Sequence, residues 1–278
     1  MLLTNAELVD GRTVDCRIDG EQIAAVEPAL DPTPDESVID AGGNLLLPGA
    51  IDAHVHFREP GYSHKETWAT GTRSAAAGGV TTVIDMPNTS PPTTTGESFD
   101  AKATAAEQAC IDYGINGGVT GDWEPDSLFD RPLCALGEVF LADSTGDMGV
   151  APDDFADAVD HAVDEGVTVT VHAEDETLFD TAARDADAGG PGRAANADLW
   201  STYRTAEAEA AAVDYATDVG QETGADLHIA HTSTPEGIDA AVDGGATCEV
   251  CPHHLYLSRD DLDELGTHGR MNPPLRSE

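Results

Sequence analysis

Lysine is nearly absent from this chain. Only Lys65 and Lys102 occur, and the 13 basic residues face 53 acidic ones, for a formal net charge of -40. That balance argues against nucleic acid or an anionic membrane surface as a partner, because each carries the same sign of charge. Long apolar runs are missing as well. No stretch approaches the ~20 consecutive apolar residues that cross a bilayer, and no secretory leader is legible. Cysteine is sparse: Cys16, Cys110, Cys134, Cys248 and Cys251 are odd in number and scattered. Such a set reads as free thiols rather than a disulfide framework. Cys248-Glu-Val-Cys251 has a metal-knuckle spacing, but it lacks a second pair and lies in an apolar run, so a structural zinc knuckle is not expected. A reducing cytoplasm fits these absences.

What is present is an apolar fraction of 40%, enough for a core in one or two domains. The acids are interleaved with Ala, Val, Ile and Leu at regular spacing. This argues for a solvated acidic surface over a folded core and against disorder. Such a surface repels itself when salt is low.

Residues 1–48 read as short strands, Leu2–Val9, Thr13–Ile18, Gln22–Val26 and a further one from Val38. Asp10-Gly11 and Asp19-Gly20 between the first three are hairpin signals. This is a small β layer. From residue 49 to 278 the rhythm becomes strand, then helix. The first strand carries His54 and His56; the others are expected at Val80–Met86, Ile115–Thr120, Leu133–Leu141, Val167–His172, Leu227–His231 and Thr247–Cys251. Helices are expected at Lys65–Ala77, Ser98–Ile111, Asp153–Glu165, 176–186, Thr205–Thr223 and Pro235–Val242, with a loop at Ala188–Gly192. Seven alternations predict a parallel α/β fold, one strand short of a closed (β/α)8 barrel. An open doubly wound sheet would gather its site at one crevice, which does not account for histidines on strands one, five and six.

The chemistry centres on Asp52-Ala-His54-Val-His56-Phe-Arg58-Glu-Pro-Gly61. Strand side chains alternate with period two, so His54 and His56 point the same way and can grip one metal ion. Arg58, two residues further on, offers a planar fork for a carboxylate. His172 and His231 lie at the ends of strands five and six, at the face where such barrels carry their sites. Taken singly, each histidine also reads as a satisfied structural residue. Two metals need a carboxylate between them. Glu138, inside the apolar strand Ala135-Leu-Gly-Glu138-Val-Phe-Leu, would be costly to bury without a cation; a solvent-facing or salt-bridged Glu138 is the competing reading, and Asp143 is a rival. His253-His254 reads as packing or support for the site, with substrate contact as the alternative. His64, His161, His228 and His268 have no useful placement.

These residues resemble the cyclic amidohydrolases, dihydroorotases most closely. The resemblance runs through the Asp52–Gly61 motif, Thr70–Thr82, Asp85-Met-Pro-Asn-Thr89, Val171-His-Ala-Glu174, Glu249–Leu255 and Asn272-Pro-Pro-Leu-Arg276. It implies a metal-dependent barrel with a small β-sandwich, to which residues 1–48 contribute. It further implies that His54 and His56 bind one divalent metal and His172 and His231 another, zinc being the expected ion. Glu138 would bridge, in place of the carbamylated lysine of many relatives. Arg58 and Asn88 would hold the substrate carboxylate, with His56 and Asn272 as further contacts. The implied reaction is reversible cyclisation of N-carbamoyl-L-aspartate to L-dihydroorotate, in pyrimidine synthesis, by a hydroxide held between the metals. The family's general acid/base is an eighth-strand Asp, which would follow Glu278. The barrel is therefore expected to be incomplete at its C-terminus, and no catalytic residue of that kind is assigned among residues 1–278. Relatives suggest a homodimer and an association with aspartate carbamoyltransferase. Allantoinase or hydantoinase activity is the nearest rival reading, and a non-catalytic partner protein is the other. The acid-rich, lysine-poor composition also resembles cytoplasmic proteins of salt-loving microbes, which implies instability on desalting.

Overall fold

The structure, a computed structural model, describes residues 1–144, 147–186 and 196–278. The expected loop at 188–192 lies outside the described residues. The chain divides into two units, Met1–Ala50 and Ile51–Glu278.

In the first unit, β1 (Leu2–Glu7), β2 (Thr13–Asp19), β3 (Gln22–Glu27) and β4 (Val38–Asp40) form one sheet in the order β3-β2-β1-β4. β1–β2 and β2–β3 are antiparallel, and β4 runs parallel to β1. Gly11 and Gly20 turn the two hairpins at φ 82° and 60°, values a residue without Cβ adopts at little cost. Leu2, Ala6, Val14 and Cys16 are buried, while Ile23, Val26, Val38 and Ile39 are exposed. Arg17 reaches both carboxylate oxygens of Glu36, Nε to Oε1 at 2.9 Å and Nη2 to Oε2 at 3.0 Å.

The second unit continues through β5 (Ala50–Val55), β6 (Val80–Asp85), β7 (Asp112–Ile115), β8 (Leu136–Phe140), β9 (Val169–His172), β10 (Leu227–Ile229) and β11 (Thr247–Cys248). Sheet neighbours follow chain order, β5-β6-β7 and β8-β9-β10-β11. The pairs β6–β7, β8–β9, β9–β10 and β10–β11 are parallel, and a parallel bridge from Gly117 to Leu136 links the two groups. Helices α1 (Trp68–Ala77), α2 (Gly96–Ala106), α3 (Pro125–Phe129), α4 (Pro152–Glu165), α5 (Thr181–Ala186), α6 (Asp198–Tyr203), α7 (Ala206–Thr223) and α8 (Pro235–Asp243) lie between the strands. This is the alternation the apolar runs predict.

The core is made where strand and helix faces meet. Val83, Leu136, Val139, Val169, Val171 and Ile229 pack with Trp68, Phe99, Phe155, Val159 and Val213. Each fully buried side chain of this kind contributes roughly 1.5–3 kcal/mol. Threonines start four of the helices: Thr67, Thr95, Thr205 and Thr234 each accept a backbone N–H one turn on, which satisfies an otherwise orphaned donor. These caps explain why α1 begins at Trp68 rather than Lys65, and α2 at Gly96 rather than Ser98.

Two sequence expectations are corrected. The third strand lies at Asp112–Ile115, not at 115–120. The Gly117-Gly118 backbone instead runs close to loops, and a Cβ on Gly118 would meet Pro87 Cβ at 2.8 Å. Segment 176–186 is not one helix. The Asp180 carboxylate accepts Ala182 N at 3.0 Å and Ala183 N at 3.2 Å, so it caps a fresh start at Thr181. No helix among the described residues is long and apolar enough to cross a membrane.

Candidate metal centre

Period-two alternation on β5 does set His54 and the following His56 on one side, with Nε2 atoms 3.2 Å apart. The opposite ring nitrogens are both engaged. His54 Nδ1 lies 2.5 Å from Glu249 Oε1, and His56 Nδ1 lies 2.7 Å from Asn88 Oδ1. Both partners are acceptors, so the Nδ1 atoms donate and the two Nε2 atoms are left aimed at one place.

Glu138 occupies that place. It is 1% exposed in a strand buried throughout. Oε2 faces the β5 pair, 3.3 Å from His54 Nε2 and 3.7 Å from His56 Nε2. Oε1 faces the other pair, 2.7 Å from His172 Nδ1 and 2.6 Å from His231 Nε2. Those two nitrogens are 3.2 Å apart. One carboxylate therefore stands between two imidazole pairs, one oxygen to each. Gly137 makes room for it: its φ is 132°, and a Cβ there would meet Thr170 O at 2.1 Å, a combination only glycine tolerates. His231, just past β10, holds φ 34°, a conformation costing of order 1–3 kcal/mol and typical of functional sites.

Charge follows the same division. Burial opposes a proton on His54, but Glu138 and Glu249 outweigh it and raise the ring to about 10. At His56 burial prevails, aided by the His54 charge, and the ring falls to about 3. Burial also opposes a proton on His172, yet hydrogen bonds donated by the ring to Glu138 and Glu174 raise it to about 9. His231 is lowered by burial first and by its histidine neighbours second. Burial would raise Glu138, yet His231 and His54 hold it ionised, well below the ordinary carboxylate range. Each pair thus concentrates one positive charge against one carboxylate oxygen.

A divalent cation suits these donors. Paired imidazole lone pairs and a carboxylate are the ligand types of zinc and its neighbours. Glu138 Oε2 is buried without a hydrogen-bond partner, which is costly unless a cation meets it. Ligand atoms of His54, Glu138 and His231 lie within 4.8 Å of one another.

The other residues singled out in the sequence divide. Arg58 is half-buried beside the site, with φ 64°, and Nη1 donates to Asn88 O at 3.1 Å. Asn88 is buried against His56. Asn272 comes within 3.4 Å of His172 Nε2 and donates to Ser144 Oγ at 2.5 Å, while its Oδ1 is buried without a partner. Asp143 is not brought to the histidines; it is exposed, and its carboxylate accepts Met148 N at 3.1 Å.

Supporting roles for Glu174, Arg204, Glu249 and the Lys102–Asp85 pair escaped the sequence reading. Glu174 Oε2 lies 2.7 Å from His172 Nε2 and also accepts from the buried Arg204. Arg204 lies over the Phe179 and Trp200 rings, at 4.8 and 4.9 Å. Glu249, just past β11, holds His54. Deeper in, Lys102 Nζ sits 2.6 Å from Asp85 Oδ2 and donates to Met86 O at 2.5 Å, while Asp85 Oδ1 accepts Phe57 N at 2.7 Å. The usable signal was charge inside apolar segments: Glu174 two residues past His172, and one of only two lysines on the inner side of α2.

Comparison with known proteins places this geometry. The chain is 63% identical, over its whole length, to a dihydroorotase of Halobacterium salinarum, of which it covers 64%. It is 40% identical to an allantoinase of Rubrobacter xylanophilus, with 91% of the chain and 57% of that protein aligned. An L-hydantoinase structure from Arthrobacter aurescens superimposes with a TM-score of 0.88 at 28% identity, over 99% of the chain and 63% of that protein. The chain thus spans less than two thirds of the length of each. The model of the dihydro-orotase-like family matches residues 43–237, most of the chain, from before the first histidine pair to beyond the second, and on that match the chain belongs to the dihydro-orotase-like family.

Proposed function

We propose that this chain is part of a dihydroorotase, which interconverts N-carbamoyl-L-aspartate and L-dihydroorotate in pyrimidine synthesis. The observation that carries the reading is Glu138, with one oxygen turned to His54 and His56 and the other to His172 and His231. The reading assigns two divalent ions, zinc by preference, to the two imidazole pairs, with Glu138 between them. Ions held there supply Lewis acidity and lower the pKa of water. The chain's own residues do the rest. Arg58 presents its guanidinium beside Asn88, a pairing suited to a carboxylate on a cyclic substrate. Asn88 and Glu249 fix the rings of His56 and His54 from outside, and Glu174 does so for His172. Asn272 points an amide at the same centre from the far side of His172. The similarity to the dihydroorotase of Halobacterium salinarum, higher than that to the allantoinase, supports the choice of substrate.

Allantoin is the second candidate substrate, because the allantoinase relative is itself 40% identical. The metal-loaded protein should be assayed side by side with L-dihydroorotate, N-carbamoyl-L-aspartate, allantoin and hydantoin. Turnover of the first two, lost in Arg58→Ala, is expected. Faster turnover of allantoin overturns the assignment. Metal binding with no turnover of any of the four favours a non-catalytic partner.

A further inference from the structure

Among the described residues, a second set of metal-type donors gathers outside the site around Glu138. Cys251, His253 and His254 each bring one donor atom to within 4.8 Å of the others. All three side chains are partly buried. After β11, Cys251 stands in extended conformation at the N-cap of a short helix, Pro252–Tyr256, which begins with proline and carries His253 and His254. His254 N donates to Cys251 O at 2.9 Å, which folds the turn between them.

His254 supplies the independent observation. Its Nε2–H donates to Pro273 O at 3.2 Å. A neutral ring that donates from Nε2 carries its lone pair on Nδ1. That Nδ1 is buried and has no hydrogen-bond partner. A backbone carbonyl holding one nitrogen, with the other left bare, is the usual preparation of a metal-binding histidine.

We infer that Cys251, His253 and His254 form a separate site for one thiophilic divalent cation of the zinc class. The fourth position is open to water or an anion. With about 2.3 Å to sulfur and about 2.0 Å to nitrogen, a tetrahedral ion needs its donors roughly 3.3–3.8 Å apart. Side-chain rotations that shift donors by about 1 Å therefore close the site. The Cys251 thiol is protonated when free, since burial and Glu249 raise it to about 11. Binding breaks the S–H bond, forms the sulfur–metal bond and releases one proton to solvent. No residue of the Glu138 site is shared, and sulfur is a donor that site lacks.

Cobalt(II), added to the metal-stripped chain, is the probe. Only a thiolate ligand yields a sulfur-to-cobalt charge-transfer band, so cobalt held by the four histidines around Glu138 stays silent in that region. At saturation the band's intensity should correspond to one sulfur-bound cobalt per chain. Cys251→Ser should lose the band and one equivalent of bound cobalt. His254→Gln should weaken the band's half-saturation at least tenfold, and Cys248→Ser should leave it intact. No band in the unaltered chain, a band that survives in Cys251→Ser, unchanged half-saturation in His254→Gln, or loss in Cys248→Ser overturns the site.

Discussion

Glu174 Oε2 lies 2.7 Å from His172 Nε2, while the other nitrogen of that ring faces Glu138. The carboxylate accepts the Nε2–H hydrogen bond and so turns Nδ1 to the metal side. Against its burial, the hydrogen bond and charge of His172 first, and the Arg204 charge after them, hold Glu174 below the ordinary carboxylate range. Replacing Glu174 with Gln removes the charge but keeps the shape. Metal affinity should then fall about 10–100-fold, the range for partners of this kind. Chelator competition measures it, and an unaltered affinity would remove Glu174 from the metal centre.

Glu138→Gln should lower the number of ions bound per chain, because Gln cannot offer an anionic oxygen to each histidine pair. Asp143→Asn should leave it unchanged, since that carboxylate is turned to the Met148 backbone. Elemental analysis after equilibration with zinc decides between them. Metal lost in Asp143→Asn but kept in Glu138→Gln would reverse the assignment.

Lys102 and Asp85 are both fully buried, 2.6 Å apart. Lys102→Met strands the Asp85 charge and should destabilise the fold by about 3–5 kcal/mol. Adding Asp85→Asn to it should recover part of the loss, because no lone charge remains. Urea unfolding of the two single variants and the double variant reads the coupling; strict additivity would show that the pair acts independently.

Glu36 is held at about 2, by its hydrogen bonds to Arg17 first and to the Thr33 backbone second. A carboxyl depressed on folding stabilises the native state above its unfolded pKa, near 4.5 here, and the contribution vanishes as pH falls toward 2. Carboxyl NMR should therefore show Glu36 titrating near 2, and Arg17→Ala should return it toward 4.5. An unmoved titration in Arg17→Ala would mean that the ion pair is not formed in solution.

Net charge of -40 over 278 residues makes self-repulsion large when counter-ions are few. Dialysis from molar potassium chloride into dilute buffer should unfold the chain, and restored salt should refold it. Circular dichroism follows both steps. Full helicity in dilute buffer would show that the acidic surface needs no screening.

Much of the fold was legible because its signals are local. Apolar runs bounded by Gly and Asp mark strands, Asp-Gly marks the hairpins of β1–β3, and period two alone puts His54 and His56 on one side. The third strand was misplaced for a non-local reason: Gly117 and Gly118 run against Pro87 and Leu128, contacts no neighbouring residue announces. The ligand types, their strand-end positions and the spacing of the first pair were therefore determined by the sequence itself. Only the tertiary structure decided that Glu138 turns one oxygen to each pair, that Asp143 does not, and that Glu174, Glu249, Arg204 and Lys102 stand behind the site. Those directions depend on how parallel strands far apart in the chain register against one another. They depend also on which buried charges can find a partner once water is gone.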